Sequence, residues 1–289
     1  MGKSRKQKGK KAVAARVADC YNSCGHWIGR RASAYTDSVF AKLIKEQSKM
    51  IIYPIVRLSS RKHIESLQNG KLFLRNNTYY QRIEESDQAR NDVFDGSIPF
   101  PDDGTLSAIT GNEVKNARIM KFTAYVACFY HFHCEKYGCF YVPEEDKEAL
   151  LAFNCDTALI IDPVEFENRV RSACERENLP LMIRDVFYIS PNQEKEIIEH
   201  IRSGFVPMFI QTPQFVKSNR FYEQHEYRVS IDYTPDFLAS HINGQVLSLN
   251  YEAAKELNES TLTIDIGPIA DISEIVTVEE LLNSYFKAE

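Results

Sequence analysis

The run Ile55-Val56-Arg57-Leu58-Ser59-Ser60, followed by Lys62-His63-Ile64-Glu65-Ser66-Leu67 and then Asn69-Gly70-Lys71-Leu72-Phe73-Leu74, admits few local structures. It reads as a strand, a capped helix, a glycine stop and a second strand. Ser60 can accept a hydrogen bond from the first helical turn, Ile64 and Leu67 share one helix face, and Gly70 suits the left-handed position past a helix end. Such a unit builds a pocket wall and leaves one cation, Arg57, at the end of its first strand. The plain alternative is a generic strand-helix-strand unit with Arg57 on the surface.

The chain of 289 residues can bury one large core or two modest ones, and 44% hydrophobic with 26% charged residues is the balance of a soluble globular protein. No membrane span is expected, because the longest apolar runs, residues 124–130 and 158–161, are strand length and far short of about 20 residues. The basic start lacks the apolar stretch of a secretory leader. Seven scattered cysteines, an odd number, predict reduced thiols in a cytoplasmic protein.

Charge is unevenly spread. Residues 1–31 carry nine Lys or Arg against Asp19, a balance of +8, so with the whole chain at -5 the remainder carries -13. Residues 1–11 read as a basic disordered arm, and Lys3, Arg5, Lys6, Lys8, Lys10 and Lys11 suit contact with nucleic acid or an acidic partner. A solubilising terminus with no partner is the plain alternative. No oligomeric state follows from the sequence.

Residues 12–50 read as N-terminal helices, with Tyr35, Val39, Phe40, Leu43 and Ile44 on one face. Residues 51–289 then form a single α+β domain. Within it, residues 86–118 are polar and punctuated by Pro99, Pro101, Gly104 and Gly111, which predicts an irregular lid or binding loop. Strands are expected near residues 121–130, 157–162, 182–188, 208–211, 226–232 and 261–266. Helices are expected near 144–152, 163–176 and 278–286, the second with Asp162 as N-cap and Pro163 in its first turn. Strands and helices do not alternate regularly, which argues for α+β.

Three constellations can carry chemistry. The first joins Arg57 to Tyr79-Tyr80 and to Glu226 and Arg228, which share one side of a strand while Tyr227 and Val229 share the other. A carboxylate on a rigid strand beside a guanidinium can orient a ribose hydroxyl or steady an oxocarbenium ion, although an exposed pair on an edge strand has the same pattern. The second is Asp92, Asp95, Lys217, Glu223 and Glu226, a set able to hold Mg²⁺ and activate water on a phosphodiester. The third is Cys128, His131, His133, Cys134 and Cys139, with Cys20, Cys24 and His26 apart. Neither group has a paired Cys-x-x-Cys, and strand alternation accounts for Cys128, Tyr130 and Phe132 as core, so no metal is assigned.

Arg57 at the end of a first strand, a helix ending at Gly70, a second strand, the pair Tyr79-Tyr80 and a late-strand Glu226 together resemble the ADP-ribosyltransferase fold. That fold sets a first-strand His or Arg, a middle Tyr or Ser and a later Glu around NAD, in a cleft between two small sheets. The Leu72-Phe73 strand, the loop from Arg90 through Asp92 and Asp95 to Gly96, and the run Glu223 through His225-Glu226-Tyr227-Arg228 are also similar to bacterial domains of the DUF2971 kind, associated with phage-defence and toxin modules. The resemblance spans residues 51–270. This chain pairs an Arg with a Tyr, where the usual triads are His-Tyr-Glu and Arg-Ser-Glu, and no Ser-Thr-Ser stretch follows Tyr80.

The resemblance implies mixed sheets behind an N-terminal helical layer, and an NAD-dependent effector that passes ADP-ribose to a macromolecule or to water. Arg57 would hold a ribose hydroxyl or the pyrophosphate, Tyr80 would stack on nicotinamide, and Glu226 would accept from the ribose 2'-hydroxyl. Ser59, Tyr79 and Arg228 complete the implied cofactor-binding set. The other classes are a metal-dependent nuclease built on the second constellation and a non-catalytic nucleic-acid-binding module built on the arm.

Overall fold

The β-branched and leucine-rich run at the start of the domain is strand β1 (Ile55–Ser59), and helix α1 (Arg61–Gln68) and strand β2 (Lys71–Asn76) follow it as its sequence predicts. The computed structural model describes residues 54–80, 92, 94–99, 118–136, 139–203, 212–235, 251–283 and 286–287. Gly70 has a φ of +92° and donates its N–H to the Leu67 carbonyl at 2.8 Å. A Cβ there would lie 2.4 Å from the Gly267 carbonyl carbon, so the turn requires glycine for space as well as for conformation. Ser60 occupies the N-cap in extended conformation, but its hydroxyl makes no capping bond, contrary to expectation. Ser59 Oγ instead lies 3.3 Å from His63 Nδ1.

The further elements are β3 (Ser97–Pro99), β4 (Arg118–Met120), β5 (Ala124–His131), β6 (His133–Lys136), β7 (Cys139–Tyr141), α2 (Glu144–Leu151) and β8 (Thr157–Ile161). Then come α3 (Pro163–Glu177), β9 (Leu181–Asp185), β10 (Phe187–Ile189), α4 (Pro191–Arg202), β11 (Val216–Ser218) and β12 (Glu226–Asp232). The described chain closes with α5 (Tyr251–Glu259), β13 (Thr261–Asp265), β14 (Ser273–Thr277), α6 (Val278–Asn283) and β15 (Phe286–Lys287). Asp162 caps α3 as expected, accepting from the N–H groups of Val164 and Glu165 at 2.8 and 3.1 Å.

Three expectations change. The strand expected over residues 182–188 breaks at Val186, whose N–H turns to donate to the Glu226 carbonyl at 2.9 Å. The terminal helix stops at Asn283, short of Phe286, which enters β15. Part of the stretch expected to be irregular is ordered, since β3 pairs with β4 and both Asp92 and Asp95 are buried. The arm, the helices at 12–50 and the strand at 208–211 lie outside the described residues.

The main sheet runs β13-β2-β5-β1-β8-β14, with β12 on the other edge of β5 and β9 beyond β12, and every pairing in it is antiparallel. The fold is thus α+β, with helices between the strands of a mostly antiparallel sheet. Strand alternation sends Ile55, Phe129, Leu159 and Val229 to one face, packed with Ile64 of α1 and Phe166 of α3. Val56, Tyr130 and Ala158 go to the other, under Leu150 of α2 and Leu281 of α6.

One edge of β5 carries two neighbours. Tyr125 and Val126 pair with Asn76 and Arg75 of β2, whereas Tyr130 and His131 pair with Val56 and Ile55 of β1. The sheet forks there, and Ala127, Cys128 and Phe129 face the gap. These strands belong to one compact unit, Ile52–Glu289. Among the described residues no helix is long and apolar enough to cross a membrane.

Candidate functional site in the fork of the sheet

Strand β1 keeps its pairing with β8 as far as Ser59 but leaves β5 after Val56. The Cys128 carbonyl, left without a strand partner on that edge, accepts a hydrogen bond from the Arg57 guanidinium. The Cζ of Arg57 lies 5.6 Å from the centre of the Phe129 ring. A cavity of about 140 Å³ opens at this point, and Arg57, Ser59, Tyr80, Glu226 and Arg228 all line it. A volume of that order holds a single ring.

The floor is a buried ionic network. Arg228, fully buried, directs its NH1 and NH2 to the two carboxylate oxygens of Asp95 at 2.7 and 2.8 Å, and NH1 also donates to the Gln214 carbonyl at 2.8 Å. Its Nε and NH2 reach Glu226 Oε2 at 2.7 and 2.6 Å. Lys217 donates to Glu226 Oε1 and, at 2.7 Å, to Gln224, and lies 3.6 Å from Asp95 Oδ2. Two anions thus meet two cations where water is scarce, and the pairs and hydrogen bonds offset the desolvation of each. The Glu226 N–H donates to the Tyr188 hydroxyl at 2.8 Å, which fixes the backbone as well.

The four charged groups of the floor come from three elements. Glu226 and Arg228 alternate onto one face of β12, and Lys217 sits on β11. Asp95 is carried by a turn in which Asp92 Oδ1 accepts from the Phe94 N–H at 3.0 Å and Asp92 Oδ2 from the Ser218 N–H at 3.2 Å. That turn docks on β11 through the Gly96 N–H, which donates to the Val216 carbonyl at 2.9 Å.

Burial alone would raise the Glu226 carboxyl, but Arg228 and Lys217 outweigh it and hold it at about 2. It is therefore an anion throughout the physiological range. Burial alone would lower the Lys217 ammonium, yet Glu226 and Asp95 more than offset it and the ammonium is retained. Burial pushes the Cys128 thiol up to about 12, with Glu226 adding to it, and raises the Tyr80 phenol too. Asp92 is raised by burial and then by Asp95. The site thus holds a fixed carboxylate among neutral thiol and phenol groups.

The residues singled out from the sequence divide accordingly. Arg57, Tyr80 and Glu226, separated by 23 and 146 positions, all line one cavity, with Ser59 on its wall, although alternation starts Arg57 on the sheet face of Ile55 and Phe129 and Glu226 on the face of Val56 and Tyr130, so that they approach it from opposite faces at the fork. Tyr79 does not line it; its ring packs against Arg75, whose Cζ is 4.0 Å from the ring centre, and edge-on to Tyr80 at 5.4 Å. Arg228 lines the cavity but spends its donors on Asp95, Glu226 and Gln214, so its part is to hold carboxylates rather than to take a ligand. The exposed-edge alternative is excluded, because β12 lies between β5 and β9 and both Glu226 and Arg228 are buried.

Of the second constellation, Asp95, Lys217 and Glu226 line the cavity, whereas Asp92 and Glu223 do not. The Asp95 and Glu226 carboxylates are taken by Arg228 and Lys217, and among the described residues no group of three or more His, Cys, Asp or Glu is placed to hold a metal ion. In the third, Tyr130 and Phe132 are core as expected, whereas Cys128 faces the cavity. The side chains of His133, Cys134 and Cys139, and the group Cys20, Cys24 and His26, lie outside the described residues. Gln224, Tyr188 and the Gln214 carbonyl were not legible as site members, since their contribution depends on long-range pairing rather than on a local pattern.

Comparison with protein-family models, with curated proteins and with solved structures finds no match to this chain.

Proposed function

We propose that the cavity in the fork receives the nicotinamide end of NAD, the rest of the dinucleotide lying outside it, and that the protein is an NAD-dependent ADP-ribosyltransferase-like effector, of the toxin or phage-defence kind, passing ADP-ribose to a macromolecule or to water. The observation that carries this reading is the convergence of Arg57, Tyr80 and Glu226 on one cavity between diverging strands. The fork divides one eight-stranded antiparallel sheet, where the resemblance implies a cleft between two small sheets, and the opening between β1 and β2 takes the place of that cleft.

The chemistry follows from the donor set. Arg228 clamps Oε2 of Glu226 and Lys217 takes one lone pair of Oε1, which leaves Oε1 a second lone pair for a ribose 2'-hydroxyl. The bond from C1' to the nicotinamide nitrogen breaks with its electron pair leaving on nicotinamide. The fixed carboxylate favours the positive charge that develops on the sugar, and the acceptor oxygen or nitrogen then adds at C1' and gives up its proton. Tyr80 offers a ring face to nicotinamide. Arg57 has no carboxylate within 4 Å among the described residues and suits the pyrophosphate.

Nicotinamide release from NAD by the purified full-length chain, followed by chromatography, tests the proposal. Turnover is expected in the wild type, with a raised KM in Arg57→Ala. Absence of turnover in the wild type would overturn the NAD reading.

A further inference from the structure

The residue directly before Glu226 adopts the left-handed backbone conformation, uncommon for a residue with a side chain, though histidine is among the types that enter it more often. His225 has φ 34° and ψ 53°, in the left-handed region where glycine sits at no steric cost. Glycine would give the same chain reversal, so the imidazole must supply what held it there. Its Nε2 lies 3.4 Å from Asp146 Oδ1, and its ring meets those of Tyr222 and Tyr130 edge-on, at 4.7 and 6.3 Å between centres. The backbone is pinned as well: the His225 N–H donates to the Tyr222 carbonyl, and the His225 carbonyl accepts from the His131 N–H, each at 3.0 Å.

Asp146 belongs to the first turn of α2 and is 1% exposed. Its Oδ2 accepts from the Tyr130 hydroxyl at 2.8 Å, and Tyr130 both lines the cavity and is the cross-strand partner of Glu226 on β5. A second polar group, Asp146 with His225 and Tyr130, therefore abuts the ionic floor without sharing a member with it. It fastens the entry of β12 to α2, whose Leu150 forms part of the cavity wall.

Resting on the NAD reading for the reaction it serves, we propose that His225, anchored by Asp146, is a positioning residue that sets the direction in which the Glu226 carboxylate enters the cavity. The φ and ψ of the residue before a strand aim that strand's first side chain. Without the anchor, residue 225 relaxes toward common backbone regions and Glu226 draws away from Lys217 and Arg228.

The test compares His225→Gly, which accepts the left-handed conformation but lacks the anchor, with His225→Gln, whose amide nitrogen reaches about as far as Nε2. The full-length chain, ¹³C-labelled at glutamate, is titrated by NMR to follow the Glu226 carboxyl, alongside thermal unfolding and nicotinamide release. His225→Gly is expected to move the Glu226 titration up toward the ordinary carboxylate range, to lower Tm through the loss of the stability which the depressed carboxyl carries, and to lower kcat at least tenfold with KM within twofold. His225→Gln is expected to titrate as the wild type does. An unchanged Glu226 titration in His225→Gly would overturn the inference, and so would the same upward shift in His225→Gln. The titration requires no substrate, so a wild type that releases no nicotinamide removes the NAD reading and leaves His225 decided on the titration.

Discussion

At the scale of the residue, Glu226 is bound on both oxygens by cations that are themselves buried, and this couples its chemistry to the stability of the fold. Replacing it by Gln leaves Lys217 and Arg228 short of an anion, a type of loss that costs about 3–5 kcal/mol. Glu226→Gln is therefore expected to lower the denaturation midpoint as well as to slow nicotinamide release by about a hundredfold or more. Adding Lys217→Met removes the orphaned cation and should recover much of the stability without the activity. Recovery of turnover in the double variant would show that the carboxylate is structural. The pH dependence has a definite sign. A carboxyl held at about 2 against an ordinary value of 4.5 contributes stability that is complete above about pH 4.5 and lost as pH falls toward 2. Chemical unfolding measured across that window should show the wild type losing stability more steeply than Glu226→Gln, and equal slopes would contradict the assignment.

At the scale of the element, the first strand-helix-strand unit depends on Gly70, and Gly70→Ala sets both a left-handed alanine and a clash with the Gly267 backbone. The conformational part alone costs about 1–2 kcal/mol, so the denaturant midpoint should fall with no change in the slope, and a neutral substitution would show that this turn can rearrange. This unit was legible because each of its signals is local: apolar alternation in β1, Ile64 and Leu67 on one face of α1, glycine past the helix end. The cap of α3 by Asp162 with Pro163 was legible for the same reason. Helix α4 carries its start signal in the sequence as well, because Ser190 and Gln193 form a capping box around Pro191, although it is not among the helices expected above. Strands β3 and β11 had no such signal. They are three residues each, and what orders them is pairing with β4 and β10 and the docking of the Asp92 turn.

At the scale of the whole molecule, the fork that makes the cavity depends on β5 meeting β1 and β2 at different places along one edge, a property of register that no window of sequence contains. What the sequence did carry was the alternation placing Glu226 and Arg228 together, and the cation at the end of β1. The meaning of Asp95 and Lys217 is legible only in part, because their residue types read as a Mg²⁺-holding carboxylate with a lysine nearby, whereas in the fold Asp95 pairs with Arg228 and Lys217. The charge asymmetry between residues 1–31 and the rest of the chain is a separate property of the molecule. If the basic arm holds a polyanion, deleting residues 1–11 should reduce the salt dependence of that affinity while leaving NAD turnover intact, and identical slopes with and without the arm would make it a bystander. The central claim concerns the cavity, and a crystal structure of the chain soaked with NAD addresses it without intermediaries. The account predicts nicotinamide against Tyr80, a phosphate oxygen at Arg57 and the ribose 2'-hydroxyl within hydrogen-bond distance of Glu226 Oε1. NAD bound elsewhere, or a fork that stays empty at saturating NAD, would contradict it.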